Sequence, residues 1–180
     1  MGAFSALVRK HQRSVYSLAL RMLCDRQGAE DLAQEVFLQL HRNLSAVQSG
    51  THLVFWLRKV TLHRAIDRLR REPRYETTSL EEADTLASEP PEPDPLLQRR
   101  LATLIGQLAP APRAVLLLRY QEDLEPTTIA HTLGMSINTV KSHLKRSLAL
   151  LRERLEQAGI EAELDTLQVQ RAARRNGSMT

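Results

Sequence analysis

The sequence predicts an all-α protein of two small helical domains joined by an acidic, proline-rich linker, with a helix-turn-helix in the second domain. Three observations lead there. Aromatic residues make up only 4% of the 180 residues and glycines number seven, and strand-favouring residues are few beside the helix-favouring Leu, Ala, Arg, Glu and Gln. On either side of residues 72–95, apolar residues recur at three- and four-residue steps, the period of a helix with one buried face. Charge is also distributed in blocks: residues 1–71 carry 12 Lys and Arg against 5 Asp and Glu, residues 72–95 one Arg against 8 acids, and residues 96–159 9 against 5. The formal net charge of +4 hides two basic blocks around an acidic one, a pattern that suits two nucleic-acid-binding modules and a spacer.

Composition narrows the function. At 42% hydrophobic residues the chain has material for modest cores. A single cysteine, Cys24, excludes an internal disulfide and fits a small apolar thiol at the end of an amphipathic helix, which implies a reducing cytosol. The six histidines show no ligand spacing with Cys, Asp or Glu, so no metal is expected, and no cofactor. No segment approaches the roughly 20 apolar residues needed to cross a bilayer, and the N-terminus has no apolar leader, so the expected location is cytoplasmic. The chain offers no clustered carboxylates for two metal ions, no Gly-rich phosphate loop and no nucleophile paired with a base. Neither an enzyme nor a small-molecule substrate is expected.

Residues 3–24 and 29–45 both have helical spacing and are separated by Asp25-Arg26-Gln27-Gly28, where the glycine is expected to supply the reversal of a helical hairpin. In the second helix Leu32, Val36, Phe37, Leu40 and Leu44 share a face and are expected inside. Asp31, Gln34, Glu35, Leu38 and Arg42 lie on adjoining faces, which periodicity reads as either a solvated or a docking surface. Residues 52–71 form a third helix. At about 100° per residue, Phe55, Leu62, Ile66 and Leu69 share one sector and Trp56, Lys59, His63 and Arg70 another, while Leu53, Leu57 and Val60 form a further apolar sector. Cations beside an indole suit phosphate contact with a surface for an unstacked base. They equally suit a tryptophan packed half into the core under Lys and Arg stems.

Residues 72–95 hold five of the eight prolines and few large apolar groups. They cannot form a core and are expected as an extended, semi-rigid tether whose acidity also suits a basic channel in a partner. Residues 96–108 read as a helix, and Pro110-Ala111-Pro112 opens another through Tyr120, since proline is tolerated in a first turn. Pro126-Thr127-Thr128 begins a short helix through Leu133, Gly134 makes a tight turn, and Ser136 is placed to cap the next helix. Ile137, Val140, Leu144, Leu148, Leu151 and Leu155 form an apolar stripe, leaving Asn138, Thr139, Ser142 and Arg146 outward with Lys141 and Lys145 on the flank. A recognition helix needs short polar groups near its start, to approach base edges, and cations beside them to hold phosphates. Residues 127–155 supply both and are read as a helix-turn-helix.

Glu30-Asp31-Leu32-Ala33-Gln34-Glu35-Val36-Phe37-Leu38, the helix from Trp56-Leu57 to Arg71, and Thr139-Val140-Lys141-Ser142 with Leu151-Arg152 stand in this order around an acidic linker. Together they resemble bacterial sigma factors of the extracytoplasmic-function (ECF) type. The resemblance implies a first domain over 1–71, a linker over 72–95, a second domain over 96–157 and a tail over 158–180. It implies three partners: core RNA polymerase, through its β′ clamp helices and β subunit, promoter DNA, and an anti-sigma protein. Asp31, Gln34, Glu35, Leu38 and Arg42 would dock on the clamp helices. The 46–55 loop and the helix behind it, with Trp56, Arg58, Lys59, His63, Arg64, Asp67, Arg70 and Arg71, would read the minus-ten element and hold a flipped base. Ser136, Asn138, Thr139, Lys141, Ser142, His143, Lys145 and Arg146 would read the minus-thirty-five element, with the linker in the RNA exit path. Two positions depart from the common pattern: His63 stands where many relatives have Asn, and His143 where they have Arg. Promoter sequence therefore does not transfer. Residues 158–180, with Arg171, Arg174 and Arg175, read either as a tail or as a short regulatory helix that folds on binding.

The competing reading is a stand-alone helix-turn-helix regulator that binds duplex DNA without polymerase. Residues 29–71 weigh against it, because they form a second basic module with no receiver or ligand-pocket character.

Overall fold

The computed structural model describes residues 2–71 and 95–157; the expectations for the linker up to residue 94 and for the tail from 158 lie outside the described residues. Among the described residues every regular element is helical: α1 (Gly2–Leu23), α2 (Arg26–Arg42), a 3-10 turn (Leu44–Ala46), α3 (Gly50–Arg71), α4 (Pro95–Gly106), α5 (Pro110–Tyr120), α6 (Pro126–Leu133) and α7 (Ile137–Gln157). The chain divides into two compact units, 1–110 and 111–180.

In the first unit α1, α2 and α3 pack pairwise as a three-helix bundle. Its core is Leu18, Ala19 and Met22 of α1, Leu32, Val36 and Leu40 of α2, and Leu53, Leu57, Leu62 and Ala65 of α3, all buried. Burying such side chains is the main favourable term here, and cutting one of the leucines back to Ala costs about 2–5 kcal/mol. Thr61 is also fully buried, but its hydroxyl donates to the Leu57 carbonyl at 2.7 Å, so the polar atom is satisfied within its own helix.

The hairpin between α1 and α2 is built differently from the sequence expectation. The reversal falls on Cys24, with φ at 52°, and its N–H donates to the Leu20 carbonyl at 2.7 Å. Left-handed backbone costs a non-glycine residue roughly 1–2 kcal/mol. Asp25 then caps α2, its carboxylate accepting from the Gly28 N–H at 2.9 Å. Gly28 lies in the first turn of α2, where a Cβ would strike the Asp25 carboxylate.

Two further expectations are corrected. Leu44 is 41% exposed because α2 stops at Arg42: the Asn43 side chain donates to the Gln39 carbonyl at 2.8 Å, and Leu44 falls in the 3-10 turn. The 46–55 loop is also shorter than expected. The Ser49 hydroxyl accepts from the His52 N–H at 3.1 Å, and the Gln48 N–H donates to His52 Nδ1 at 3.2 Å. This reciprocal cap starts α3 at Gly50 and leaves 47–49 as the connection.

α4 packs against α1 and clusters with the first unit. In the second unit Arg113 through Leu118 of α5 are all buried, as suits a helix enclosed on every side. α6 packs on α7. Gly134, with φ at 65°, ends α6 in the left-handed conformation that favours glycine, its N–H donating to the Ala130 carbonyl. The buried face of α7 is Val140, Ser147, Leu151 and Leu155, while Ile137 is 41% exposed. Ser147 joins that face, while Leu144 and Leu148 of the expected stripe are half-buried.

Candidate nucleic-acid interface

On α3 the helical period sets Trp56, His63, Asp67 and Arg70 in one sector with Lys59 at its edge. Lys59, His63, Asp67 and Arg70 are exposed and Trp56 is half-buried, with Lys59 one turn from the indole and Arg70 about 21 Å from Trp56 along the helix axis. Arg71 is exposed at the end of the helix. Arg58, two residues from Trp56, points elsewhere: it is half-buried and lines a shallow groove between α1 and α3 with His11, Ser14, Leu18 and Val54. Burial, and secondarily the neighbouring Lys10 cation, lower the His11 pKa from its ordinary 6.5. α1 itself contains no acidic residue over its 22 positions, and Arg9, Lys10 and Arg13 are exposed on it.

Arg64 is turned toward α2. Its Nη1 lies 2.9 Å from Glu35 Oε2, and its Nε donates to Gln39 Oε1 at 2.9 Å. Arg68, which periodicity does not single out, donates to the Gly28 carbonyl at 3.2 Å and lies 3.9 Å from Asp31. Both carboxylates of the expected docking surface thus face cations of α3. Asp31 also accepts from Gln27 at 3.1 Å. Around them Gln34 and Arg42 are exposed, and Leu38 is 61% exposed, a large apolar side chain among polar ones.

In the second unit the Ser136 hydroxyl accepts from the Thr139 N–H at 3.0 Å and shares a hydrogen bond with the Thr139 hydroxyl at 2.8 Å. Ser136 therefore caps α7 as expected, and the same bond fixes the Thr139 side chain. Asn138, Thr139, Lys141, Ser142, Lys145 and Arg146 are exposed in the first turns of α7, and His143 is half-buried. This face offers short polar groups with flanking cations to a groove of DNA. Its placement depends on a residue that sequence reasoning missed. The Arg119 guanidinium, 11% exposed, donates to the Leu124 carbonyl at 2.8 Å and to Glu125 at 2.9 Å. It ties the end of α5 to the residue that opens α6 and so orients the helix-turn-helix. The visible signal was an arginine closing the apolar run 114–118, in a helix that also carries Arg113.

Among the described residues no group of three or more His, Cys, Asp or Glu could hold a metal ion, and no helix is long and apolar enough to cross a membrane.

Comparison with known proteins bears on both surfaces. The family model described as Sigma-70 region 2 matches residues 7–75, and the one described as Sigma-70, region 4 matches residues 98–151. The ECF RNA polymerase sigma factor SigE of Mycolicibacterium smegmatis is 34% identical over 161 residues, 86% of this chain and 62% of its own length. This chain thus spans less than two thirds of that relative. The RNA polymerase sigma-E factor of Streptomyces avermitilis is 31% identical over 161 residues, 88% of each chain. Among solved structures, the sigma factor RpoE in complex with the anti-sigma factor NepR from Bartonella quintana superposes with a TM-score of 0.66, covering 87% of this chain and 98% of that one. At 18% identity this is a likeness of fold. With two sigma-70 regions matched in order and the Streptomyces relative matched over nearly its whole length, the chain belongs to the ECF group of the sigma-70 family.

Proposed function

We propose that this chain is a transcription initiation factor that binds core RNA polymerase in the cytoplasm, directs it to a set of promoters and helps open the DNA. The observation that carries this reading is the pairing, on one chain, of a Sigma-70 region 2 match with a Sigma-70, region 4 match, each containing an exposed surface of suitable chemistry. Asp31, Gln34, Glu35, Leu38 and Arg42 dock on the polymerase clamp. Trp56, Lys59, His63, Asp67, Arg70 and Arg71 form the minus-ten surface, with Arg64 at its edge. Asn138, Thr139, Lys141, Ser142, Lys145 and Arg146 form the minus-thirty-five surface, with Ser136 as the cap that holds it. Arg58 and His143, like Trp56, are half-buried; Arg58 lines the groove between α1 and α3 and is set apart from the minus-ten surface. No step makes or breaks a covalent bond in this chain: it works by positioning, by neutralising phosphates and by offering surfaces to bases. An anti-sigma protein is the third proposed partner, consistent with the fold shared with the Bartonella sigma factor in its complex.

The test is complex formation with purified core polymerase followed by gel filtration. The wild-type chain elutes with the core enzyme, and the charge reversal D31K/E35K, at the half-buried Asp31 and exposed Glu35 of α2, leaves helicity unchanged and removes it from the complex. Undiminished binding by D31K/E35K would show that docking uses another surface.

A further inference from the structure

We infer that Arg64 is a DNA contact held in reserve: in the free chain Glu35 and Gln39 hold its guanidinium against α2, and a polymerase surface that takes Glu35 releases it toward promoter phosphates. This rests on the reading of α2 as the polymerase surface and α3 as the promoter surface.

The geometry supplies the two positions of the switch. Arg64 follows His63 on α3, and about 100° per residue puts it on the edge between the Trp56–His63 sector and the side facing α2. Its long stem lets the guanidinium reach either side. In this structure it is on the α2 side, 2.9 Å from both the Glu35 carboxylate and the Gln39 amide oxygen. Both partners of the ion pair are about half exposed, 42% for Arg64 and 52% for Glu35. Such pairs are weak and are displaced by a competing charge.

The two roles exclude each other. A guanidinium paired with a carboxylate presents almost no net charge to a phosphate a few ångströms further off, and the carboxylate itself repels the phosphate. Arg68 repeats the arrangement one turn later, beside Asp31 at 3.9 Å. The free chain therefore offers DNA less positive charge than α3 contains. The competing partner must carry cations that meet Asp31 and Glu35 and an apolar site for the exposed Leu38. When it brings them, Glu35 exchanges an internal cation for an external one and Arg64 is left at the DNA surface. The coupling is reciprocal: whatever favours Arg64 on DNA also frees Glu35 for the partner.

A double-mutant cycle on the full chain tests this, read by fluorescence anisotropy with a labelled, short, mixed-sequence single-stranded DNA and no polymerase present. E35Q binds several-fold more tightly than wild type, with a steeper salt dependence of about 0.7 in log K against log salt for the one cation freed. In the R64A background the same E35Q change gives only the small gain of losing one negative charge. Q39A, which removes the other hold on Arg64, gives a smaller gain of the same sign. E30Q removes a carboxylate from the same helix, but one that pairs with Arg26 at 3.8 Å. It measures the general effect of lost negative charge and gains less than E35Q. With core polymerase bound, R64A weakens the promoter complex more than it weakens the free chain on DNA. Equal E35Q gains with and without Arg64, equal gains from E30Q and E35Q, or equal R64A losses in the two states overturn the proposal. Failure to bind core polymerase at all would instead refute the initiation-factor reading, and the polymerase-free cycle reports separately from it.

Discussion

Gly28 and Gly50 are both in the first turn of a helix, yet alanine should affect them in opposite directions. A Cβ at Gly50 meets nothing within 4 Å, so Gly50→Ala is neutral or stabilises by up to about 1 kcal/mol, as expected for an open helical site. A Cβ at Gly28 strikes the carboxylate that caps α2, and losing such a cap costs about 0.5–2 kcal/mol. Gly28→Ala therefore destabilises the first unit by about 1 kcal/mol, and urea denaturation of the two variants side by side checks the sign. Arg119→Ala leaves the Leu124 carbonyl without its donor. It should cost about 1–3 kcal/mol and loosen the approach to α6, visible as faster amide exchange over residues 121–133 with the first unit unchanged. His11 adds a pH dependence. Its folded pKa is lowered by burial and by Lys10, so the unfolded chain takes up the proton first as pH falls. The stabilisation is present above about 6.5 and is lost as pH falls through the lowered value. His11→Gln should flatten that part of a Tm–pH profile, and an unchanged profile would remove His11 as its cause.

At the scale of the helices, what was legible in the sequence was whatever the helical period alone decides. Leu32, Val36, Phe37 and Leu40 share a face and are buried, and Leu38 is exposed beside them, because a period of 3.6 residues fixes which residues lie together. The helix-turn-helix was legible for a second reason: Gly134 and Ser136 are demanded by backbone geometry that few other residues satisfy. The ends of elements were less visible. Leu44 leaves the face because Asn43 ends α2, and α3 begins early because Ser49 and His52 cap it reciprocally. Least visible was the partner of each cation on α3. Arg64 meets Glu35 across 29 residues of chain, a contact set by how α2 crosses α3, which no local pattern encodes. The recognition helix yields its own prediction. Arg146→Ala should weaken promoter binding by about 1–3 kcal/mol, if it makes one good base or phosphate contact, and should thin a footprint only at its upstream element. An unaltered upstream footprint would place the contact elsewhere on α7.

At the scale of the molecule, the helix-turn-helix alone would suit a repressor or an activator. The additional information lies in the first unit, a basic three-helix bundle with an indole on one face and a carboxylate–leucine surface on another. A stand-alone regulator has no use for that second surface, while a polymerase subunit has to both dock and open DNA. The central claim is that the two units act together on one enzyme. It is tested most directly by transcription from genomic DNA fragments with purified core polymerase, with and without this chain, mapping the 5′ ends of the transcripts. The account predicts a set of start sites that appear only when the chain is added and disappear with D31K/E35K. An identical set of start sites with and without the chain, from core enzyme active with another sigma factor, would contradict it.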